Sequence, residues 1–245
     1  MIFLIRKTDL RKALLCCGGF LCAACVFHLL AGELPAVSVF SARAETPVTV
    51  VIDPGHGGED GGAVSSGGVA ESHINLAVSK QVRDLLRFAG QRTVMTREED
   101  VTICDEGLGT IRERKASDIR NRVNMVEETE NAVLLSIHQN SLPSSPVTHG
   151  AQVFWNQQEG AEELAEVIQT ALNSTVNVGN EKHTKRIPST VYLMKHVTVP
   201  AVLVECGFLT NREETTLLQD ETYQRGLAVS ITAGYLRGIS EGEAP

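Results

Sequence analysis

The sequence predicts a single α/β domain with a twisted, mostly parallel central sheet of about six strands and helices on both faces. Three continuous apolar runs, at 48–52, 132–138 and 201–206, are typical of strands that are covered on both sides. Stretches with apolar residues at helical spacing lie between these runs. Strands that alternate with helices in this way indicate a mainly parallel sheet between two helical layers.

The first half of the domain predicts two strand–helix units. The strand at 48–52 precedes a glycine-rich stretch and then a helix from Glu71 to Ala89, which Gly90 ends. A second strand is predicted at 93–96, and apolar residues at helical spacing between Ala116 and Val126 predict the next helix.

The second half repeats the alternation. The buried strand at 132–138 is followed by a strand at 152–155 and a helix around 164–171. We expect two more strands at 191–194 and 201–206, and a last helix that carries Tyr223, Leu227, Ile231 and Tyr235. A single folded domain is therefore predicted within 45–245, with its core at about 48–239.

Residues 1–44 have a different composition and predict export. Four basic residues, at positions 6, 7, 11 and 12, precede the run 13–32, which contains no Lys, Arg, Asp or Glu. This pattern is typical of a signal peptide or a signal anchor, and the run is about long enough to span a bilayer. Ala42-Arg43-Ala44 resembles a small-residue cleavage site, so both a cleaved peptide and a membrane anchor stay open.

Charge and cysteine content exclude several classes of protein. The formal charge of the chain is −8, and it becomes −11 without residues 1–44, which hold five basic and two acidic residues. Nucleic-acid binding needs a basic surface, so we expect no nucleic-acid partner. Only Cys104 and Cys206 lie outside the apolar segment, and they form no CxxC pair, so a cysteine zinc site and a disulfide framework are not indicated.

Three polar residues occupy the ends of predicted strands. His56 follows the first strand within a glycine-rich stretch, His138 ends the strand 132–138, and Glu205 lies near the end of the strand 201–206. Ligand sites of open α/β sheets lie outside the carboxyl ends of the strands. We therefore expect these three side chains to converge.

Glu71 joins this group for another reason. It lies three residues before Ile74 and seven before Val78, so it extends the apolar face of its helix toward the sheet. A carboxylate buried there without a partner would cost several kcal/mol, which a cation would offset.

Two histidines and a glutamate form a ligand set that is common in catalytic zinc sites, where a fourth position is left for water. On this interpretation His56, Glu71 and His138 bind the metal, and Glu205 is the spare carboxylate for general base catalysis. Spacing alone leaves a structural network of hydrogen bonds as the alternative. The other histidines of the domain are expected to be surface or substrate-side residues, with His73 off the inward face of its helix and His149, His183 and His196 in loops.

The motifs resemble the zinc-dependent N-acetylmuramoyl-L-alanine amidases of the amidase-3 family. The resemblance is carried by VIDPGHGGEDGGA from Val51 with Glu71, by MTREED (95–100), RNRVNMVEE (120–128) and LLSIHQNS (134–141), and by PAVLVECGFLTNREE (200–214). It covers nearly all of 48–239. It implies one zinc per chain with His56, Glu71 and His138 as ligands, Glu205 as the catalytic glutamate, and peptidoglycan as the substrate.

The resemblance extends to the sporulation-type, germination-specific amidases. It is carried by RERKASDIRNRV (112–123), by KRIPSTVYLMKHVTVPAVLVECGFLTN (185–211) and by Gln152. It implies that stem peptides are removed from the spore cortex before a partner deacetylase allows the muramic-δ-lactam to form. Targeting would depend on the N-terminal segment, as a membrane anchor if uncleaved, or on an activating protein.

Two other functions stay open from the sequence: a zinc carboxypeptidase that shortens stem peptides, and an inactive wall-binding or scaffold protein. Asp53 is expected to hydrogen-bond the glycine loop, Cys206 to pack in the core, and Arg114, Arg122 and Arg186 either to contact substrate carboxylates or to lie on solvated surfaces.

Overall fold

The computed structural model describes residues 47–241 and confirms the predicted fold class. Its sheet has six strands in the order β2-β1-β3-β6-β4-β5. The strands are β1 (Thr49–Pro54), β2 (Arg92–Met95), β3 (Ala132–Asn140), β4 (Gln152–Trp155), β5 (Lys185–Arg186) and β6 (Ala201–Phe208). Strands β2, β1, β3 and β6 are parallel to one another, while β4 pairs with β6 in the antiparallel direction and with β5 in the parallel direction.

Six helices among the described residues cover the sheet. They are α1 (Glu71–Phe88), α2 (Ile111–Glu127), α3 (Ala161–Asn173), α4 (Tyr192–His196), α5 (Arg212–Leu218) and α6 (Glu221–Glu241). Apolar side chains of α1, α3 and α6 pack with those of the strands in one core. Helices α2 and α4 contribute to a second core on the opposite face.

The strands are buried on both faces because their side chains alternate between these two cores. On β1, Val50 and Ile52 belong to the first core and Val51 belongs to the second, and all three are fully buried. Period-two alternation therefore explains why the strands are apolar throughout instead of alternating with polar residues.

The prediction of a strand at 191–194 was wrong. Residues 192–196 form the short helix α4, whose Leu193 and Met194 are buried in the second core. Strand β6 is already paired with β3 on one side and β4 on the other, so the sheet offers no edge beside it. A run of four apolar residues does not distinguish a strand from a buried helical turn. The two-residue strand β5 and the helix α5 were not predicted.

The segment 1–44, for which we predicted a signal peptide or anchor, lies outside the described residues. Within residues 47–241, none of the helices combines the length and the apolar character that crossing a membrane requires. The functional site is positioned by the central strands β1, β3 and β6, whose carboxyl ends lie at one edge of the sheet.

Candidate metal centre and active site

The structure brings His56, Glu71 and His138 together. Oε1 of Glu71 lies 3.3 Å from Nε2 of His56 and 3.0 Å from Nδ1 of His138. One ligand atom from each residue lies within 4.8 Å of the other two. The two imidazole rings meet edge to face, with centroids 5.1 Å apart. Three residues separated in the sequence thus present their nitrogen and oxygen atoms to one point.

The donor set fits a zinc ion. Zinc in proteins takes imidazole nitrogen and carboxylate oxygen at about 2.1 Å, so neighbouring ligand atoms of a tetrahedral site lie about 3.4 Å apart. The distances from Oε1 of Glu71 to the two imidazole nitrogens, 3.3 and 3.0 Å, are close to this edge length, and the ligand atoms of the three residues lie within 4.8 Å of one another. The Glu71 carboxylate also lies between the two imidazoles of His56 and His138. A divalent cation bound there would replace these hydrogen bonds with stronger metal–ligand bonds.

The glycines before and after His56 leave room for the other two ligands. A Cβ atom on Gly55 would overlap the imidazole of His138, and one on Gly62 would lie 2.7 Å from Cδ of Glu71. Gly62 also has a φ of 69°, which favours glycine. The glycine-rich stretch is therefore the inner wall of the site, against which a histidine and a glutamate pack.

Glu71 is held from several sides. It begins α1, is buried, and accepts hydrogen bonds at Oε2 from the backbone N–H of Ala63 and at Oε1 from the side chain of Asn75. Burial raises the pKa of this carboxyl, but the hydrogen bond to His138 and the two imidazoles lower it to about 2. Glu71 is therefore an anion in position to bind a cation.

Asn75 links Glu71 to the glycine loop. Its side-chain amide donates to the backbone oxygen of Gly55 as well as to Glu71, and its own oxygen accepts from the side chain of Gln139. Asn75 and Gln139 are buried. A polar network with these connections fixes the orientation of the carboxylate, as expected for groups behind a metal ligand.

His56 has a backbone conformation that is uncommon for a residue with a side chain. Its φ is 60°, in the left-handed region. Two contacts hold it: Nδ1 lies 3.0 Å from Oδ2 of Asp60, and the backbone oxygen accepts a hydrogen bond of 2.9 Å from the guanidinium of Arg122. These contacts direct Nε2 toward Glu71 and His138.

Arg122 and Asp53 form a buried ion pair behind the site. The guanidinium donates to Asp53 at 2.6 Å, to the backbone oxygen of Pro54 and to Asp118. Asp53 also accepts from the hydroxyls of Thr96 and Ser136. Burial raises the pKa of Asp53, but Arg122 and these hydrogen bonds lower it to about 2.

This ion pair corrects two expectations from the sequence. Asp53 does not hydrogen-bond the glycine loop itself, because its oxygens are directed to Arg122 and two hydroxyls, and Arg122 makes the contact with the loop. Arg122 is buried and donates to Asp53, Asp118 and the backbone oxygen of His56, so it does not lie on a solvated surface. Arg97, which we had not singled out, also supports the loop by donating to the backbone oxygens of Pro54 and Gly55.

Glu205 lies beside the ligand set. It is the register partner of His138 across β3 and β6, and of Gln152 across β4 and β6. The residue is partly exposed, but its Oε2 atom is buried and has no hydrogen-bond partner among the described residues. Burial raises the pKa of this carboxyl to about 7 in the absence of a metal. A proton-transfer group with such a pKa is suited to acid–base work near neutral pH.

A cavity of about 290 Å³ opens next to the cluster. Its lining includes His56 and His138, together with apolar side chains from α2, α4 and β6, namely Ile119, Leu193, Met194 and Leu203. Lys115 lies at the same cavity with its side chain half exposed. The cavity gives a substrate access to the cluster from the side of α2 and α4.

The other histidines lie away from the cluster, as expected. His73 is exposed, and His149 and His183 lie in loops, but His196 belongs to helix α4 and not to a loop as predicted. Cys206 is fully buried in the core, and burial raises the pKa of its thiol, which agrees with a packing role. Arg114 pairs with Glu59, and Arg186 is exposed on β5.

A mostly parallel α/β sheet that presents a His/Glu/His cluster and an unpaired glutamate at its strand ends has the arrangement that metal-dependent hydrolases use. Comparison with known proteins specifies the class further. Residues 50–237 match the Amidase_3 family, N-acetylmuramoyl-L-alanine amidase. The chain belongs to this family, and its enzyme class is that of a peptidoglycan amide hydrolase.

Individual relatives agree with the family assignment. The germination-specific N-acetylmuramoyl-L-alanine amidase of Bacillus subtilis (strain 168) is 39% identical over 197 residues, covering 80% of this chain and 82% of the relative. The structure of the CwlD amidase from Clostridioides difficile in complex with the GerS lipoprotein matches with a TM-score of 0.76 and 34% identity, covering 79% of this chain and 99% of that one. The amidase AmiC2 of Nostoc punctiforme matches with a TM-score of 0.64 and 30% identity, covering 79% and 97%.

Proposed function

We propose that the chain is a zinc-dependent enzyme that hydrolyses the amide between the lactyl group of N-acetylmuramic acid and L-alanine in the spore cortex. The observation that carries the zinc dependence is the convergence of His56, Glu71 and His138, with the unpaired carboxylate of Glu205 beside them. The family assignment supports the amide bond, and the 39% identity to the germination-specific amidase supports the cortex as the substrate.

In this proposal His56, Glu71 and His138 hold one zinc ion. When bound, zinc polarises a carbonyl and lowers the pKa of a water molecule. Glu205 takes the proton from the attacking water and gives it to the leaving nitrogen of L-alanine as the amide bond breaks. The products are the muramic acid carboxylate and a stem peptide with a free N-terminal L-alanine.

The position of Glu205 favours this role. Its buried oxygen has no competing partner among the described residues, so it is free to accept a proton from a substrate water. Glu71, in contrast, is engaged by Ala63, Asn75 and His138 and is ionised over the whole neutral range. Two carboxylates in one site therefore have separate roles that their surroundings determine.

The cellular setting is part of the same proposal. The N-terminal segment 13–32 would carry the enzyme across the membrane, either as a cleaved signal or as an anchor. The similar C. difficile amidase is described in complex with a lipoprotein, which supports an activating protein partner for this chain as well. A muramic acid deacetylase would act on the product after the stem peptide is gone.

The test is zinc content and product analysis of the full-length protein and three variants. We expect one zinc per chain for the wild type and for Glu205→Gln, and none for His138→Ala. On purified cortex peptidoglycan the wild type should release intact stem peptides, while Glu205→Gln should lose a factor of about 10² to 10⁴ in rate. His183→Ala, at an exposed histidine away from the site, is the control that should keep both zinc and activity.

Products separate this proposal from the alternatives. Stem peptides shortened at their C-terminal end would indicate a carboxypeptidase instead of an amidase. Zinc-loaded protein that binds peptidoglycan and releases nothing would indicate a wall-binding protein. A Glu205→Gln variant as active as the wild type would refute the acid–base assignment.

A further inference from the structure

Helix α2 contacts the glycine loop at the position of a metal-ligating histidine. Nζ of Lys115 on α2 lies 2.8 Å from Oδ1 of Asp60, and Oδ2 of Asp60 lies 3.0 Å from Nδ1 of His56. Oδ1 of Asp60 also accepts from the backbone N–H of Gly62. A chain of three polar side chains thus runs from the helix surface to the imidazole of His56.

The imidazole of His56 needs such support because little else fixes it. Its side chain is 28% exposed, and its backbone has a φ of 60°. The hydrogen bonds from Arg122 to this segment reach only backbone oxygens. The ring orientation therefore depends on the contact with Asp60, which also places the proton on Nδ1 and leaves Nε2 as the ligand atom.

Asp60 in turn needs a partner, because it is one of several carboxylates near the cluster. The other acidic groups that line the same cavity, Asp53 and Asp118, are paired with Arg122, whereas the cationic partner of Asp60 is Lys115. The ammonium of Lys115 holds one oxygen of Asp60 and leaves the other directed at His56. The pair therefore fixes the rotation of the carboxylate as well as its charge.

We propose that Asp60 and Lys115 are positioning residues that orient His56 for zinc binding. This inference rests on the proposed function, since it needs His56 to be a zinc ligand. It concerns zinc affinity first and activity only through the metal. Neither residue is proposed to contact the reacting atoms.

The neighbouring residues provide a matched control. Arg114 precedes Lys115 on α2, Glu59 precedes Asp60 in the loop, and Nη2 of Arg114 lies 2.8 Å from Oε2 of Glu59. This second pair ties the same helix to the same loop but makes no contact with His56. If the two pairs only tether the loop to the helix, breaking either pair should have the same effect on zinc affinity. If Asp60 and Lys115 act on His56, only breaking the Asp60–Lys115 pair should weaken zinc binding.

The experiment measures the zinc dissociation constant of the full-length protein by competition with a chromophoric chelator. We expect Asp60→Ala to weaken zinc binding about 10- to 100-fold, the usual effect of removing the partner of a ligating histidine. Lys115→Met should weaken it about two- to fivefold, as for a partly exposed ion pair. Lys115→Arg should restore wild-type affinity, and Glu59→Gln should leave it unchanged.

Two further readouts exclude a merely structural effect. Urea unfolding of the metal-free proteins should show that Asp60→Ala and Glu59→Gln are both folded, so that a difference in zinc affinity does not arise from unfolding. The visible spectrum of the Co²⁺-loaded protein should change in Asp60→Ala and not in Glu59→Gln, because only the former alters the ligand geometry. If Asp60→Ala does not fold, the inference is tested by the zinc affinities of two other variants. These are Lys115→Met and Asp60→Asn, the second of which keeps an oxygen acceptor.

Wild-type affinity in Asp60→Ala would overturn the inference, and so would an equal loss in Asp60→Ala and Glu59→Gln. Either outcome would leave the proposed function intact, because the wild type would still bind zinc. A wild-type protein that binds no zinc would overturn both.

Discussion

His138 and Glu205 face each other as register partners on the parallel strands β3 and β6. Register partners on adjacent strands project from the same face of a sheet. The backbone hydrogen bonds of two buried central strands therefore set the separation between the proposed metal ligand His138 and the proposed acid–base carboxylate of Glu205. A site built on strands in this way is more rigid than one built on loops.

The buried oxygen of Glu205 predicts a cost in stability. Burial raises the pKa of the Glu205 carboxyl in the folded protein to about 7, above its ordinary value of 4.5. Ionisation of this group therefore lowers the stability of the fold as pH rises from 4.5 to 7. The penalty is absent below pH 4.5 and complete above pH 7. We expect Glu205→Gln to stabilise the metal-free protein by up to about 3 kcal/mol at pH 8 and to have no stabilising effect near pH 4.5.

Urea unfolding of metal-free wild type and Glu205→Gln at several pH values measures this difference. Glu213→Gln removes an exposed carboxylate near the same strand and should change stability little at any pH. A Glu205→Gln variant that is less stable than the wild type at pH 8 would contradict the prediction. The carboxylate would then contribute to folding in addition to its proposed role in catalysis.

The positions of His56, Glu71, His138 and Glu205 relative to each other followed from the sequence because simple geometry determines them. Strand ends of a parallel sheet meet at one edge, and helical spacing places Glu71 on the inward face of α1. The contacts behind these residues did not follow. Arg122 and Asp53 are 69 positions apart, and no periodicity in the sequence indicates that they pair.

Gly55 is predicted to be essential for the position of His138. A methyl group at this residue would overlap the imidazole ring. We expect Gly55→Ala to displace His138, to weaken zinc binding by more than about tenfold and to reduce activity about 10²-fold, as a shift of about 1 Å does at a catalytic site. Zinc titration and cortex hydrolysis measure these effects.

Gly67→Ala is the matched control in the same stretch. The nearest atom to a Cβ at Gly67 is Oγ of Ser65 at 3.7 Å, an ordinary contact distance. This variant should bind zinc and cleave cortex like the wild type. Equal losses in both variants would mean that the glycines serve chain flexibility and not the space for His138.

Zinc removal should lower stability without unfolding the domain. Two apolar cores hold the sheet and helices independently of the cluster. A ligand that binds only the folded state stabilises it by about 2.7 kcal/mol at a hundredfold excess over its dissociation constant. We therefore expect chelation to lower the melting temperature by about 5–10 °C for a domain of this size, with an unchanged far-ultraviolet circular dichroism spectrum.

His138→Ala provides the control for zinc removal. Its melting temperature should not respond to zinc or to the chelator, because the ligand set is incomplete. A variant that responds as the wild type does would place the stabilising zinc elsewhere in the chain.

The short segments were the least predictable part of the fold. Helix α4 was mistaken for a strand because its apolar residues are too few to show a period, and its structure depends on the absence of a free edge beside β6. Strand β5 has two residues, and only its pairing with β4 defines it. Such elements depend on tertiary contacts more than on local sequence.

The buried pair of Asp53 and Arg122 is predicted to support the candidate metal centre by stabilising the fold. The folded-state pKa of Asp53 is about 2, below its ordinary value of 3.8, so its ionised form stabilises the fold. This contribution, about 2 kcal/mol, is present above pH 4 and is lost as pH falls toward 2. Asp53→Asn leaves the guanidinium without this partner, and we expect it to cost about 3 kcal/mol at pH 7.

Urea unfolding of the metal-free proteins between pH 7 and pH 3 measures this prediction without the pH dependence of zinc binding. The difference between wild type and Asp53→Asn should be constant from pH 7 to about pH 5 and should shrink below pH 4. Asp84→Asn, which breaks an exposed pair with Arg83, should change stability by less than about 1 kcal/mol throughout. A constant difference down to pH 3 would mean that Asp53 stabilises the fold through the shape of its side chain and not through its charge.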